Sequence, residues 1–203
     1  MLKPVFIHEI KKEIQPKFTK LPDEVTYTRG DKLGPKHHWE MSGGLGGSVH
    51  ILINKTDSHE ILLATQVRVP ILVKYPDTNG ICYEAVAGLI DKYDEIADLA
   101  SRVRLIASEE VHEEAGYKVA PEDLVALPAY LSNVGMGGST AYPYYCEVTD
   151  ADFIGQQLED SEDIEILAIP YEELRYFLQT CTTTDATTRA LILWFILEHQ
   201  SEW

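Results

Sequence analysis

Residues 87–117, AGLIDKYDEIADLASRVRLIASEEVHEEAGY, combine a glycine turn, a helical pattern and a carboxylate cluster. Glu110, Glu113 and Glu114 stand at i, i+3 and i+4, and a helix projects side chains with this spacing from one face, about 5–6 Å apart. Three like charges repel at that distance, and Gly116 predicts a helix end, where the helix dipole disfavours carboxylates. The spacing therefore predicts a compensating cation such as Mg²⁺, which carboxylate oxygens bind. The alternative is a solvated acidic face.

The same stretch resembles the Nudix box, which is a glycine, a spacer and the pattern Arg-Glu-aliphatic-x-Glu-Glu-x-Gly-aliphatic. Gly88 matches the opening glycine. Residues 110–117 match the second half, with the aromatic Tyr117 in the final aliphatic place. The resemblance implies that the helix carries a divalent-metal site.

Two features depart from the box. Glu109 occupies the place of the box arginine, so the basic partner of the glutamates must lie elsewhere. We expect Arg102 rather than Arg104, because Arg102 lies a little over two helical turns before Glu110. The spacer after Gly88 is also about seven residues longer than usual, close to two turns, which predicts a lengthened helix. The apolar stripe of that helix would be Leu99, Val103, Ile106 and Ala107. The glutamate usual within the spacer has three candidate counterparts: Asp94, Glu95 and Asp98.

Length and charge narrow the class of protein. The chain has 203 residues, a net charge of −16 and three widely spaced cysteines. We expect a small N-terminal β-region over residues 1–45 and one catalytic domain over residues 46–203. The cysteines suit a reducing cytosol, and no apolar run approaches the roughly 20 residues of a membrane span, so we expect a cytoplasmic protein. The charge argues against nucleic acid as a partner.

Hydrophobic patterning predicts the order of the elements. Strands are predicted at residues 49–53, 60–67, 81–87, 124–131, 141–148 and 164–169. Helices are predicted after Pro170 and over residues 185–199, where Leu191, Trp194, Phe195 and Leu197 would pack inward. The glycine-rich residues 42–48 predict a linker. This order predicts an α+β fold, an α/β/α sandwich with helices on both faces of a mixed sheet.

The resemblance extends beyond the box and is closest to the ADP-ribose and UDP-sugar pyrophosphatase branch of the Nudix hydrolases. Trp39-Glu40 matches the branch's tryptophan–acid pair, and residues 66–68 match its Gln-x-Arg. Residues 84–88 match its Glu-x-x-Ala-Gly. The loop at residues 132–139 resembles the glycine-rich loop of the UDP-sugar enzymes, and residues 158–164 resemble the late acidic loop.

The resemblance implies roles for individual residues. Mg²⁺, with Mn²⁺ as an alternative, would be held by Glu110 and Glu114, with Glu113 and the Ala87 carbonyl completing the site. A late-loop glutamate would assist catalysis, Glu162 first and Glu159 second. The implied substrate contacts are Trp39, Arg68, Glu84, Gly137, Gly138 and Ser139.

The implied activity is Mg²⁺-dependent hydrolysis of the diphosphate of a nucleoside-diphosphate sugar. A UDP-sugar or ADP-ribose would yield a nucleoside monophosphate and a sugar phosphate. The resemblance also implies a homodimer, in which the N-terminal β-region reaches the partner and Trp39 lies near a shared site. Glu109 and the long spacer motivate the alternative, a non-catalytic Nudix-fold module that binds a nucleotide or a protein.

Overall fold

A computed structural model describes residues 19–25, 28–29, 32–33, 37–42, 46–134, 138–160 and 162–199, and before residue 46 only by the backbone. The first strands form two antiparallel pairs. Strand β1, Thr19–Val25, pairs with β4, His37–Ser42, and β2, Thr28–Arg29, pairs with β3, Lys32–Leu33. The first 18 residues of the predicted N-terminal β-region lie outside the described residues, and its boundary at residue 45 stays a prediction.

One eight-stranded mixed sheet organises the rest of the described chain. Its strands are β5 Gly47–Lys55, β6 Glu60–Val67, β7 Ile81–Glu84, β8 Val86–Leu89, β9 Val125–Ala126, β10 Tyr130–Leu131, β11 Thr140–Val148 and β12 Glu165–Pro170. The central order is β10-β11-β5-β6-β12, and only the β11–β5 pairing is parallel. The consecutive strands β7 and β8 pair with β6 and β5 respectively. This arrangement carries the chain directly from the sheet into the box.

Helices cover both faces of this sheet. They are α1 Val69–Lys74, α2 Leu99–Glu110, α3 Leu174–Thr180 and α4 Ala186–Glu198. Helix α2 continues into a π-helical turn over Val111–Ala115. Single 3₁₀ turns lie at Pro76–Thr78, Pro121–Asp123, Asp150–Asp152 and Tyr171–Glu173.

Alternation along β5 explains the two layers, because successive side chains of a strand point to opposite faces. Val49 and Ile51 are fully buried in the cluster that contains Val103 and Ile106 of α2. Leu52 lies in a second cluster, which also contains Leu63, Leu174, Ile192 and Phe195. The predicted α/β/α sandwich with a mixed sheet is therefore confirmed.

The structure corrects three details of the predicted elements. The predicted strand at residues 124–131 is split into β9 and β10, because Pro128 between them has no N–H for a sheet ladder. Gly47 and Ser48 begin β5 and are not linker residues. Leu197 is 64% exposed, so it does not pack inward as predicted.

The long box spacer is a loop followed by a helix. Helix α2 begins at Leu99, and the Asp98 side chain caps it by accepting the Ser101 N–H at 2.9 Å. Residues 90–98 are not helical, so the predicted lengthening of the helix is wrong for them. Tyr93 has a φ of 61°, a left-handed conformation that a right-handed helix excludes.

In the part of the chain that the structure describes, no helix is long and apolar enough to cross a membrane.

Candidate active site

The carboxylate cluster forms where the end of α2 meets β8. Glu110 and Glu114 are buried, with relative exposures of 8% and 5%. The Ala87 N–H donates to Glu114 Oε2 at 3.1 Å. A Cβ placed on Gly88 would lie 2.1 Å from Glu110 Oε1, so only glycine lets the strand approach this carboxylate. The box glycine therefore serves close packing between strand and helix.

Burial makes both carboxylates poor acids. It raises the pKa of Glu110 to about 7 and the pKa of Glu114 to about 8. The negative charge of Glu162 raises the pKa of both groups further. Lys92 counteracts this for Glu110, and the Ala87 N–H counteracts it for Glu114. Additional positive charge at this position would be strongly favoured.

Lys92 supplies a cation that the sequence analysis missed. Its Nζ lies 3.2 Å from Glu113 Oε2 and 3.9 Å from Glu110 Oε1. The lysine thus bridges two glutamates of the cluster from the loop that precedes α2. It is the only Lys or Arg between Gly88 and Asp98, a sequence signal that could have identified it.

Among the described residues, neither Arg102 nor Arg104 pairs with a box glutamate, so the prediction of Arg102 as the replacement for the box arginine is wrong. Arg102 Nη1 donates to Asp94 Oδ1 at 2.6 Å, and the pair ties the loop to α2. Arg104 Nη1 donates to the Leu124 carbonyl at 2.8 Å. Both arginines lie on α2 as predicted. Their guanidinium groups are bound by acceptors outside the glutamate cluster, which helical phase alone could not predict.

A second contact fixes the loop that carries Lys92. The Tyr93 hydroxyl donates to Glu109 Oε1, and the Ile96 N–H donates to the Tyr93 carbonyl at 3.0 Å. Glu109 in the box-arginine place thus accepts a hydrogen bond from the residue next to Lys92. The departure from the box and the new lysine belong to one local arrangement.

Arg68 and Glu84, predicted as separate substrate contacts, form an ion pair beside the cluster. Arg68 Nη2 lies 2.5 Å from Glu84 Oε2, and Gln66 Nε2 donates to the same oxygen at 3.0 Å. The Arg68 side chain is 47% exposed and keeps further N–H groups available. The pKa of Arg68 is raised mainly by its hydrogen bond to Glu84, and the charge of Glu114 also raises it.

In the late acidic loop, it is Glu162 whose charge raises the pKa values of Glu110 and Glu114. The Glu159 N–H donates to Glu162 Oε2 at 2.9 Å, and the Glu162 N–H donates to the Glu159 carbonyl at 3.0 Å. These bonds close a tight turn that fixes the Glu162 carboxylate. The Glu159 side chain is exposed.

The other predicted substrate residues are not joined to the cluster by any contact in the described ranges. The Ser132 N–H donates to the Ser139 carbonyl at 3.1 Å, which closes the loop that also contains Gly138. Gly137 lies outside the described residues. Trp39 pairs with Asp23 along β4, and its side chain lies outside the described part.

The donors fit a hard divalent cation in type and charge. The three box glutamates offer carboxylate oxygens, and burial, the main cause of the raised pKa values of Glu110 and Glu114, disfavours their charged forms unless a cation neutralises them. Within the described ranges, no three His, Cys, Asp or Glu side chains converge as a ready-made metal site. Instead, Glu113 is turned to Lys92 and Glu114 to the Ala87 amide. Lys92 binds Oε2 of Glu113, so the second oxygen of this carboxylate is the one that would face an ion.

Comparisons with known proteins found sequence relatives over about half of the chain. No protein-family model matches the chain. Over 105 residues, 50% of the chain, it is 36% identical to the uridine diphosphate glucose pyrophosphatase NUDT14 of Bos taurus. It is 31% identical to the Mus musculus protein of the same name over the same length. The chain spans about 45% of the length of these relatives.

A solved structure shares the fold. The crystal structure of an ADP compounds hydrolase matches with a TM-score of 0.63 at 16% identity, covering 95% of this chain and 98% of that one. The names of the sequence relatives confirm the predicted resemblance to the UDP-sugar pyrophosphatases, and the solved structure confirms the predicted fold.

Proposed function

We propose that this chain, a relative of the Nudix hydrolases of the ADP-ribose and UDP-sugar branch, hydrolyses the diphosphate of a nucleoside-diphosphate sugar. The products would be a nucleoside monophosphate and a sugar phosphate. One observation carries the proposal: two buried glutamates with raised pKa values meet a glycine turn, beside an exposed arginine. The names of the sequence relatives support a UDP-sugar, and ADP-ribose is the second candidate substrate.

Glu110 and Glu114 would hold Mg²⁺, or Mn²⁺ as an alternative, with Glu113 and the Ala87 carbonyl. When bound, the metal supplies neutralisation of phosphate charge and a lower pKa for the attacking water. The protein's part is to keep these carboxylates rigid. The Ala87 amide fixes Glu114, and the absence of a side chain at Gly88 leaves room for Glu110.

Glu162 would act as the general base. Its Oε2 is held by the Glu159 N–H, and its other oxygen would accept the proton of the attacking water. Arg68 would bind the diphosphate, because a guanidinium presents paired donors that match phosphate oxygens. Glu84 holds one edge of that guanidinium, which fixes the direction of the remaining N–H groups.

Lys92 would act as a positioning residue. It binds the Glu113 carboxylate and so takes over the role of the box arginine, which this chain lacks. This assignment also accounts for Glu109, whose carboxylate accepts the Tyr93 hydroxyl and so fixes the residue next to Lys92.

The remaining substrate contacts and the assembly are also proposals. Gly137, Gly138 and Ser139 would approach the substrate from the glycine-rich loop, and Trp39 would stack on the base in a cytoplasmic homodimer. Light scattering should give the mass of a dimer. The Trp39→Ala protein should stay dimeric and keep its turnover, with a raised KM. A fully active monomer at nanomolar concentration would contradict the shared site.

The decisive experiment is a substrate panel. Purified protein with Mg²⁺ is incubated with UDP-glucose, other UDP-sugars and ADP-ribose, and the products are identified by mass spectrometry. We expect a nucleoside monophosphate and a sugar phosphate. A protein that forms no product, yet binds one of these compounds calorimetrically, would instead be a non-catalytic nucleotide-binding module.

A further inference from the structure

A cavity of about 320 Å³ opens on the side of the Arg68–Glu84 pair. Both members of that pair line it, so the cavity adjoins the proposed diphosphate site. Its other lining residues are Pro70, Ile71, Tyr75, Cys82, Thr182, Thr183, Thr184 and Asp185. None of these other lining residues belongs to the Nudix box.

Helix α1 builds one wall of the cavity and is firmly attached to the sheet. Leu72 is buried, and a Cβ on Gly80 would lie 2.6 Å from Leu72 Cβ, so the helix rests directly on the glycine. The Arg68 N–H donates to the Gly80 carbonyl at 2.8 Å, which closes the segment at its base. The wall that carries Ile71 and Tyr75 is therefore preformed.

The segment before α4 builds the opposite wall. The Tyr83 N–H donates to the Thr183 carbonyl at 3.0 Å, and Tyr83 and Thr184 form a parallel bridge. Asp185 caps α4 by accepting the Thr188 N–H at 3.0 Å. Three consecutive threonines are thus held along the edge of β7, next to Glu84.

The lining combines an apolar surface with hydroxyl and carboxylate groups. Pro70, Ile71 and the half-exposed Tyr75 ring offer an apolar surface. The buried hydroxyl oxygen of Thr184 has no hydrogen-bond partner among the described residues. A buried polar group without a partner requires an explanation, and a nearby ligand hydroxyl would provide one after a small adjustment.

We propose that this cavity binds the monosaccharide of the nucleotide-sugar substrate, on the far side of the Arg68–Glu84 pair from the metal-binding glutamates. This inference rests on the proposed function. The sugar would lie on the cavity side of the Arg68–Glu84 pair, and the diphosphate would lie on the side of the metal-binding glutamates. The volume lies at the small end of the range for ligand sites, about 300–1,000 Å³, so it suits one ring rather than a whole nucleoside.

A sugar fits the lining better than a nucleobase. A pyranose has an apolar C–H face that packs on Ile71 or Tyr75, and hydroxyl groups that pair with threonine hydroxyls and carboxylate oxygens. A base would be expected to stack between flat groups. Tyr75 is the only aromatic residue among those that line the cavity, so a base would lack a second flat group. The Tyr75 ring also has a cation near it, because Lys74 Nζ lies 5.1 Å from the ring centre.

Two variants with matched controls test the inference. Thr182→Trp narrows the cavity from an exposed position, and Gln179→Trp adds the same bulk on exposed α3 outside it. Tyr75→Ala removes the ring, and Tyr176→Ala removes a ring that is 68% exposed on α3. Calorimetry with Ca²⁺ in place of Mg²⁺ compares the binding of UDP-glucose, UDP-N-acetylglucosamine and UDP.

We expect Thr182→Trp to weaken UDP-glucose binding roughly tenfold or more, equivalent to about 1.4 kcal/mol. UDP-N-acetylglucosamine should lose more because it is larger. UDP, which lacks the sugar, should bind within about twofold of the unmodified protein, as should all ligands to both controls. Tyr75→Ala should weaken the two sugar nucleotides selectively.

Equal losses for UDP and UDP-glucose, or no loss in Thr182→Trp, would overturn the sugar subsite. These outcomes concern binding, whereas the substrate panel concerns hydrolysis by the unmodified protein. Selective loss of sugar-nucleotide binding in a protein without turnover would support the subsite and refute the proposed activity. Turnover that is the same in all variants would support the proposed activity and refute the sugar subsite.

Discussion

Lys92 Nζ lies 3.2 Å from the Glu113 carboxylate, although the two residues belong to different elements. The lysine extends from a loop, and the glutamate stands on the π-helical turn at the end of α2. The pair is partly exposed, so its direct contribution to stability should be small. Its importance should instead lie in orienting a proposed metal ligand.

Lys92→Met should therefore weaken Mn²⁺ binding, measured by electron paramagnetic resonance, about 10- to 100-fold, the usual effect of removing a residue that orients a metal ligand. Lys92→Arg should retain most of the affinity because it keeps the charge. Lys118→Met, which neutralises an exposed lysine, is the control. Tighter binding by Lys92→Met would show that Lys92 competes with the metal.

Glu110→Gln and Glu114→Gln should each abolish most Mg²⁺-dependent turnover, with a loss of roughly a hundredfold or more, because each removes a charged ligand oxygen. The fold should persist, since glutamine keeps the shape and can still accept the Ala87 N–H in place of Glu114. Circular dichroism and steady-state kinetics measure both properties. Glu122→Gln, on an exposed surface, should be unaffected. Near-normal activity in both variants would remove the assigned metal site.

Glu162→Gln should lower turnover while leaving Mn²⁺ affinity nearly normal, because the residue is proposed as a base and not as a ligand. A typical loss on removal of a general base is about 10²- to 10⁴-fold. Glu159→Gln should have little effect, since Glu159 holds Glu162 through its backbone N–H. The opposite ranking would assign the base to Glu159.

Gly88→Ala should disrupt the site from the strand side. Its Cβ would lie 2.1 Å from Glu110 Oε1, so the carboxylate must move. We expect weaker Mn²⁺ binding and a loss of about 1–3 kcal/mol in the free energy of unfolding, the usual range for overpacking. Gly46→Ala is the matched control, because nothing lies within 4 Å of its Cβ position. An unchanged Mn²⁺ affinity in Gly88→Ala would contradict the close approach of strand and helix.

The metal-free protein should become less stable as pH rises from about 5 to about 8. Glu110 and Glu114 have folded pKa values raised from 4.5 to about 7 and about 8, so the folded state binds their protons more tightly than the unfolded state does. Their stabilising contribution is complete below the unfolded pKa and is lost as pH rises through the folded values.

Urea denaturation in EDTA at several pH values measures this dependence. Glu114→Gln cannot ionise, so its stability should vary less with pH and should exceed that of the unmodified protein near pH 8. A steeper decline in the variant would contradict the assignment of the raised pKa to Glu114.

The sequence predicted the elements whose patterns are local. Alternating apolar residues and turn residues located β5 and β6, and Asp185 marked the start of α4. Helix α1 was not predicted, because six residues with one buried side chain contain no helical period. The helix is anchored by the packing of Leu72 on Gly80, a contact that no periodic pattern in the sequence indicates.

Helical spacing predicted the part of the site that lies on one helix. Spacing grouped Glu110 with Glu114, and the family motifs selected Arg68 and Glu84, but no pattern indicated that the latter two would pair. Lys92 was not predicted because it lies in a loop, where no periodic pattern indicates the direction of a side chain. Its orientation depends on the left-handed conformation of Tyr93 and on the bond to Glu109, which exist only once the loop has docked on α2.

The bond between the Ala87 amide and Glu114 joins residues 27 positions apart, on a strand and on a helix. Its proton exchanges with solvent when the Glu114 carboxylate leaves the amide, so the exchange rate of this one amide reports local opening of the site. A cation bound by Glu114 would slow that exchange, since a ligand at 100 times its Kd stabilises the closed form by about 2.7 kcal/mol. Occupancy of the site could thus be read from a backbone proton without any substrate present.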